Sequence, residues 1–422
     1  MKTFLIDRFP AGLVRPPSSK SMGHRAVICA ALAEEDSVIS RISLSEDIQA
    51  TLDGVAALGA SWRLSGDTLH ITGRSQNADR RRYDAIDCGE SGSTLRFLIP
   101  IAALDARQTT FTGRRRLFRR PLEAYARVFA ERNLLFQPIQ EGLRVAGPLV
   151  GGPIALPGDV SSQFVSGLLF ALPLCREASD LRLTTPLESA PYVTLTLDAM
   201  RRFGVAVEEV REGGRHHYHI PGGQCYRACA LTLEADYSQA AFFLAAAALG
   251  CSVRCAGLSP DSHQGDRAML DILRDMGAEV IWEGGLVSVR ADRLRPVTVD
   301  VRAIPDLTPP IATLCCFCEG TSRIVNAGRL RLKESDRLGA LAAELGKLGA
   351  DIQEGPDSLT IRGKPSLPGG EADAQGDHRI AMAVAVAAIR CQGPVTLTGA
   401  DSVNKSYPRF WDDFLVAPTA PS

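Results

Sequence analysis

Several short stretches of this chain set charged or hydroxyl side chains where they could bind anions or move protons. Ser19-Lys20-Ser21 with Arg25 opens an apolar, helix-like run. A Lys and an Arg five apart cannot both face an apolar core. A helix start that presents them to an anion is a sensible reading, and a solvated first turn is the plain alternative. Glu90-Ser91-Gly92-Ser93-Thr94 opens a second run. Gly92 has no side chain, so its backbone can approach a phosphate closely. Ser161-Ser162-Gln163 opens a third, with two hydroxyls beside helix N–H groups that suit a phosphate. Arg114, Arg115, Arg116, Arg119 and Arg120 crowd into seven residues. They read as a solvated basic loop or as a nucleic-acid patch. Asp306 stands where an Asp is often only a helix cap. Lys333, Glu334, Asp336 and Arg337 form a charged turn that alone would be an exposed face. Asp377-His378-Arg379 and Lys405 complete the set.

These residues sit at the starts of helices, and the helices repeat. Six small-residue runs, apolar nearly all round, begin near Gly23, Gly92, Ser161, Ser238, Thr308 and Asp377, spaced by 69, 69, 77, 70 and 69. A helix apolar on every side is buried in a large core. A second phrase interleaves: an amphipathic helix, a Gly or Asn, then a strand. It turns at Gly59, Asn133, Gly204, Gly277 and Gly349, spaced by 74, 71, 73 and 72. Gly or Asn suits the residue past a helix end, which often takes positive φ. Alternating strands around Ser65-Gly66-Asp67, Glu283-Gly284-Gly285 and Gly355-Pro356-Asp357 predict hairpins. The pattern predicts an α/β fold of six units of about 70 residues, three per domain. The sixth, with helices at 377–390 and 407–416, lacks its hairpin, which the strand Thr3–Ile6 is expected to supply. The expected domains are 15–230, and 1–14 with 231–422.

Of 422 residues, 45% are hydrophobic and 23% charged, an ordinary globular balance that excludes a disordered chain. Lys and Arg total 47 against 48 Asp and Glu. No global field recruits nucleic acid or membrane, so any anion site is local. The longest apolar runs, Ala240–Leu249 and Ile380–Ile389, are too short for a bilayer. No signal peptide is read, and a cytoplasmic protein is expected. Eleven cysteines without an export signal argue against a disulfide framework. The pairs Cys225/Cys229 and Cys251/Cys255 are read as core strand residues rather than zinc ligands. Cys315, Cys316 and Cys318 are read as packing. His216, His217 and His219 are read as a solvated strand.

Together, PSSKSMGHR (17–25), CGESGSTLRF (88–97), RRPL (119–122), GDVSSQFVSGLL (158–169), ESAPYVTLTL (188–197), IPDLTPPIA (304–312), LKESDRL (332–338), GDHRIAMA (376–383) and NKSYPRF (404–410) resemble the EPSP synthase family of enolpyruvyltransferases. Any one motif is weak, but nine in order are specific. The resemblance implies the two-domain fold of six βαβαββ repeats, with the active site in the interdomain cleft. It implies transfer of the enolpyruvyl group of phosphoenolpyruvate to the 5-hydroxyl of 3-phosphoshikimate, with no metal or organic cofactor. The implied partners are these small molecules only, neither nucleic acid nor membrane, acting on a monomer.

By the same resemblance, Lys20 reaches both substrates, and Ser21 and Arg25 hold the shikimate carboxylate. Gly92 lines the phosphoenolpyruvate pocket, with Arg96 in support, and Arg120 and Lys405 bind its phosphate. Ser161, Ser162, Ser189 and Tyr192 serve the acceptor's phosphate, and Gln163 touches both substrates. Asp306 takes the proton of the 5-hydroxyl. Lys333 contacts the shikimate hydroxyls, and Glu334 helps deliver a proton to the methylene carbon. Arg337 and Arg379 clamp the donor's carboxylate, where guanidinium forks suit bidentate binding. His378 orients Arg379. Lys20, Arg25, Arg120, Lys333, Arg337, Arg379 and Lys405 thus supply seven cations for two phosphates and two carboxylates. Gly23-His24, Glu90, Phe97 and Arg329 depart from the usual family pattern, but none removes one of these cations.

Two other functions share parts of this pattern. The sister transferase acting on UDP-N-acetylglucosamine usually carries a reactive Cys before its phosphate-binding Arg, and residues 106–121 hold none. An RNA-binding protein using Arg114–Arg120 is disfavoured by the near-zero net charge and by the absence of interleaved aromatics.

Overall fold

The recurring phrase of helix, turn residue and hairpin is realised five times. The computed structural model describes residues 2–74, 84–114 and 117–415, so Arg115 and Arg116 lie outside the described residues. Gly59, Asn133, Gly204, Gly277 and Gly349 all take positive φ, from 54° at Asn133 to 109° at Gly59. Gly adopts that conformation without steric cost, and Asn tolerates it better than other residues. The hairpins are Ser61–Ser65 with Thr68–Thr72, Leu135–Ile139 with Gly142–Ala146, Glu208–Glu212 with Arg215–Ile220, Glu279–Glu283 with Leu286–Arg290, and Asp351–Glu354 with Leu359–Arg362.

The chain divides into two units, Lys20–Leu233, and Met1–Ser19 with Glu234–Ser422. The first unit contains α1 (Lys20–Leu32), α2 (Glu46–Ala57), α3 (Gly92–Ala102), α4 (Glu123–Glu131), α5 (Ser162–Ala171) and α6 (Ala190–Arg202). The second contains α7 (Tyr237–Ala248), α8 (Met269–Asp275), α9 (Thr308–Cys315), α10 (Arg337–Lys347), α11 (His378–Ala388) and α12 (Phe410–Phe414). The six odd-numbered helices are the apolar runs of the sequence. Every residue of α7, α9 and α11 is buried. The even-numbered helices lie outside them and bury one face, as Ile48, Leu52 and Val55 of α2 do. Each unit has its own core, and each fully buried Leu or Phe contributes roughly 1.5–3 kcal/mol.

A four-stranded sheet accompanies each of the first five repeats. In the second, Ala85–Asp87 runs parallel to Thr109–Thr112, which pairs antiparallel with one strand of the hairpin. The crossovers break the simple order. Ala230–Thr232 runs parallel to Val38–Ser40 of the first repeat, and Gly12–Val14 runs parallel to Val253–Cys255 of the fourth. Each unit thus completes its first sheet with a strand from a remote part of the sequence. The division consequently falls at 19/20 and 233/234, past the expected 14/15 and 230/231.

Three expectations need correction. The sixth sheet has only three strands among the described residues: Gly370–Asp373 parallel to Val395–Thr398, and Thr3–Ile6 antiparallel to the latter. The N-terminal strand supplies one strand there, not a hairpin. The last helix covers Phe410–Phe414, starting three residues later than expected, and the expected end at 416 lies outside the described residues. Cys225 is exposed and Cys229 only partly buried, both in a loop ahead of Ala230–Thr232. Cys251 is also only partly buried, whereas Cys255 is in the core. His216, His217 and His219 lie on the strand Arg215–Ile220 and pair with Glu209 and Asp180. No described helix is long and apolar enough to cross a membrane.

Candidate active site

In the first unit, the candidate residues come from the starts of inner helices, except Ser189 and Tyr192 at the start of α6 and Arg120 in the turn before α4. Lys20 Nζ lies 2.8 Å from Asp47 Oδ2, across α1 and α2. Arg25, one turn further along α1, is buried against the Phe97 ring, with its guanidinium carbon 5.2 Å from the ring centroid. Its N–H groups donate to Thr196 Oγ1 (2.8 Å) and to the carbonyls of Ser21 (2.7 Å) and Tyr192 (2.7 Å). Burial pushes the Arg25 guanidinium down to about 10, still charged near neutrality. Three of its five N–H groups are used this way, so Arg25 also ties α1 to α6. Ser189, left-handed at φ 55°, precedes α6.

Gly92 opens a second group. A Cβ at Gly92 would lie 2.8 Å from Arg96 Nη1, 2.9 Å from Arg120 Nη1 and 3.7 Å from Gln163 Oε1. Arg96 Nη1 donates to Gln163 Oε1 (3.0 Å), and Gln163 Nε2 donates to Ser93 Oγ (2.9 Å). Ser91 caps α3 and Ser161 caps α5. Two guanidiniums therefore converge on the open side of a helix start whose backbone N–H groups already favour an anion. Arg114 is exposed and donates its backbone N–H to the carbonyl of Gly89 (2.7 Å).

In the second unit all six candidates join one network. Asp306 lies 3.1 Å from Arg337 Nη1, 3.2 Å from Arg379 Nη2 and 3.5 Å from Lys333 Nζ. Glu334 lies 2.7 Å from Arg337 Nη2 and 3.5 Å from Lys405 Nζ. Arg379 Nη1 also donates to the Asp306 carbonyl (3.1 Å). Burial pushes the Asp306 carboxyl up, but Arg379, Lys333 and Arg337 together hold it well below the usual carboxylate range. Asp266, buried and bonded to the Ser238 hydroxyl, is pushed up to about 7 by burial and by Asp306.

Two residues carry more than their motifs suggested. Asp377 caps α11 and also accepts from Arg337 Nε (2.9 Å) and Ser335 Oγ (3.1 Å). Asp47 is the partner of Lys20. An acid in the first turn of a helix reads as a dipole partner or cap, so neither spacing nor composition marks these pairings.

A fold of two such units is that of the enolpyruvyl transferases. The transferase NikO from Streptomyces tendae matches 97% of this chain and 95% of its own, with a TM-score of 0.78 at 20% identity, which shows the fold alone. EPSP synthase from Acinetobacter baumannii matches with a TM-score of 0.79 at 25% identity, covering 98% of this chain and 97% of that one. The model of EPSP synthase (3-phosphoshikimate 1-carboxyvinyltransferase) matches residues 10–414. The 3-phosphoshikimate 1-carboxyvinyltransferase of Clostridium perfringens (strain ATCC 13124) is 44% identical over 407 residues, covering 96% of this chain and 95% of that protein. That of Clostridium acetobutylicum is 43% identical over 409 residues, covering 95% and 94%. The chain belongs to the EPSP synthase family.

Proposed function

We propose that this enzyme joins phosphoenolpyruvate to the 5-hydroxyl of 3-phosphoshikimate, giving 5-enolpyruvylshikimate 3-phosphate and phosphate. The observation that supports the residue roles is the single network in which Asp306 and Glu334, bridged by Arg337, lie among four cations. Two carboxylates in distinct surroundings suit two distinct proton transfers.

Lys20, Gly92, Arg120, Gln163 and Lys405 receive the donor's phosphate. Arg337 and Arg379 take its carboxylate. Ser21, Arg25, Ser161, Ser162, Gln163, Ser189, Tyr192 and Lys333 hold the acceptor. Glu334, with Lys20, delivers a proton to the methylene carbon of phosphoenolpyruvate, and cationic character builds at the neighbouring carbon. The 5-oxygen attacks that carbon as Asp306 removes its proton. The resulting adduct loses phosphate and one proton from the new methyl group, restoring the double bond. One proton is added to carbon and one is lost from it, so the sum is substrate hydroxyl and phosphate exchanged at one carbon.

The charge pattern supports the order of events. Asp306, gripped by Arg379, Arg337 and Lys333, is a weak base. A substrate carboxylate that recruits Arg337 and Arg379 loosens that grip and makes Asp306 a better one. Asp306→Asn is expected to lower kcat about 10²–10⁴-fold with a much smaller change in the KM for phosphoenolpyruvate. An unchanged kcat would remove Asp306 from the mechanism.

A further inference from the structure

His24 lies one turn beyond Lys20 on α1 and is buried. Its Nδ1 is 2.7 Å from Thr51 Oγ1 of α2. Thr51 Oγ1 is 2.7 Å from Thr94 Oγ1 of α3, which donates to Ser91 Oγ at 2.7 Å. Ser91 in turn caps the first turn of α3 by accepting from the Thr94 N–H at 3.2 Å. The contacts from the two threonines to the Asp47 carbonyl are longer, 3.3 and 3.4 Å.

A hydroxyl has one hydrogen to give. One arrangement satisfies every short link: Thr94 donates to Ser91, Thr51 to Thr94, and His24 Nδ1–H to Thr51. It uses the 2.7 Å contacts in preference to the longer ones to the Asp47 carbonyl. His24 Nε2, left with a lone pair, is buried without a hydrogen-bond partner among the described residues. Burial holds the ring neutral, down to about 3, so the chain does not switch near neutral pH.

The four residues cross α1, α2 and α3 at the elements that carry Lys20, Asp47 and Gly92. We propose that His24 is a positioning residue for phosphoenolpyruvate, fixing the Gly92 helix start against α1 through Thr51, Thr94 and Ser91. This rests on the reading of Gly92 and Arg120 as the donor's phosphate site.

The test compares His24→Leu and Thr51→Val, which break the chain, with His24→Asn, which keeps an N–H donor. Each is assayed for Tm and for the KM of phosphoenolpyruvate and of 3-phosphoshikimate. Both chain-breaking variants are expected to raise the phosphoenolpyruvate KM about fivefold to tenfold, as one lost neutral hydrogen bond would. The 3-phosphoshikimate KM should stay within about twofold, and His24→Asn should recover most of the loss. Should His24→Leu fail to fold, the near-isosteric Thr51→Val carries the same expectation. A lowered Tm with the phosphoenolpyruvate KM unchanged, or an equal rise in both KM values, overturns the proposal. Arg120→Ala serves as the control. If it leaves the phosphoenolpyruvate KM unchanged, the phosphate-site reading has failed, whatever the chain-breaking variants do.

Discussion

Arg337 grips Asp377 through two nitrogens, Nε at 2.9 Å from Oδ2 and Nη2 at 3.2 Å from Oδ1, and neither side chain meets solvent. The remaining edge of the same guanidinium faces Asp306 and Glu334. Burial opposes the charge on Arg337, yet Asp377, Glu334 and Asp306 hold it more firmly protonated than an ordinary arginine. The position of the proposed base is thus set by an arginine that is itself fixed from behind.

Asp377→Ala should therefore be costly to the fold. Breaking a buried pair from one side leaves an uncompensated charge, at about 3–5 kcal/mol, and the cap of α11 is lost with it. Urea unfolding is expected to show a clearly lower midpoint. A loss below about 1 kcal/mol, the range of exposed pairs, would contradict the buried-pair account.

Asp266 gives a pH dependence with a definite sign. Its carboxyl is raised to about 7, first by burial and then by Asp306. Between the ordinary carboxylate range and pH 7, the folded state holds a proton that the unfolded state has lost. Stability from this group is present at low pH and declines as pH rises through that window. Tm measured from pH 5 to 8 should fall less steeply for Asp266→Asn than for the parent. Parallel curves would show that Asp266 titrates normally.

Gly92→Ala tests the open side of α3. The added methyl would press on two guanidinium ends at 2.8 and 2.9 Å, which are flexible and can move. The variant should fold with a nearly unchanged Tm but use phosphoenolpyruvate less well. Glyphosate, longer than the donor but with a phosphonate and a carboxylate at comparable separation, should compete with phosphoenolpyruvate in the parent and lose more affinity to this substitution. Equal inhibition of parent and variant would show that Gly92 does not border the pocket.

Lys20→Ala, Arg120→Ala and Lys405→Ala each remove one charge-assisted contact, worth about 1.5–3 kcal/mol. Each should weaken phosphoenolpyruvate use by roughly ten- to a hundredfold without unfolding the protein. Near-parent kinetics in all three would discard the anion-site reading.

The repeat was legible because its turn residue must tolerate positive φ, and Asn133 meets that need as Gly59 and Gly204 do. The cations were legible because Lys20, Arg120 and Arg379 stand in short motifs at helix starts. Their carboxylate partners were not. Asp47 and Asp377 sit where any helix welcomes an acid, and only tertiary packing aims them at Lys20 and Arg337. The crossover strands were hidden for another reason. Gly12–Val14 and Ala230–Thr232 are three residues long, too short for an alternating pattern, and find their sheets through partners far along the chain. Cys225 was misread because its strand begins only at Ala230.

The central claim is the identity of the acceptor. Phosphate release is measured with phosphoenolpyruvate plus either 3-phosphoshikimate or UDP-N-acetylglucosamine. Stoichiometric release with 3-phosphoshikimate, and none above background with the nucleotide sugar, is the predicted result. Turnover with the nucleotide sugar alone, or with neither acceptor, would contradict the account.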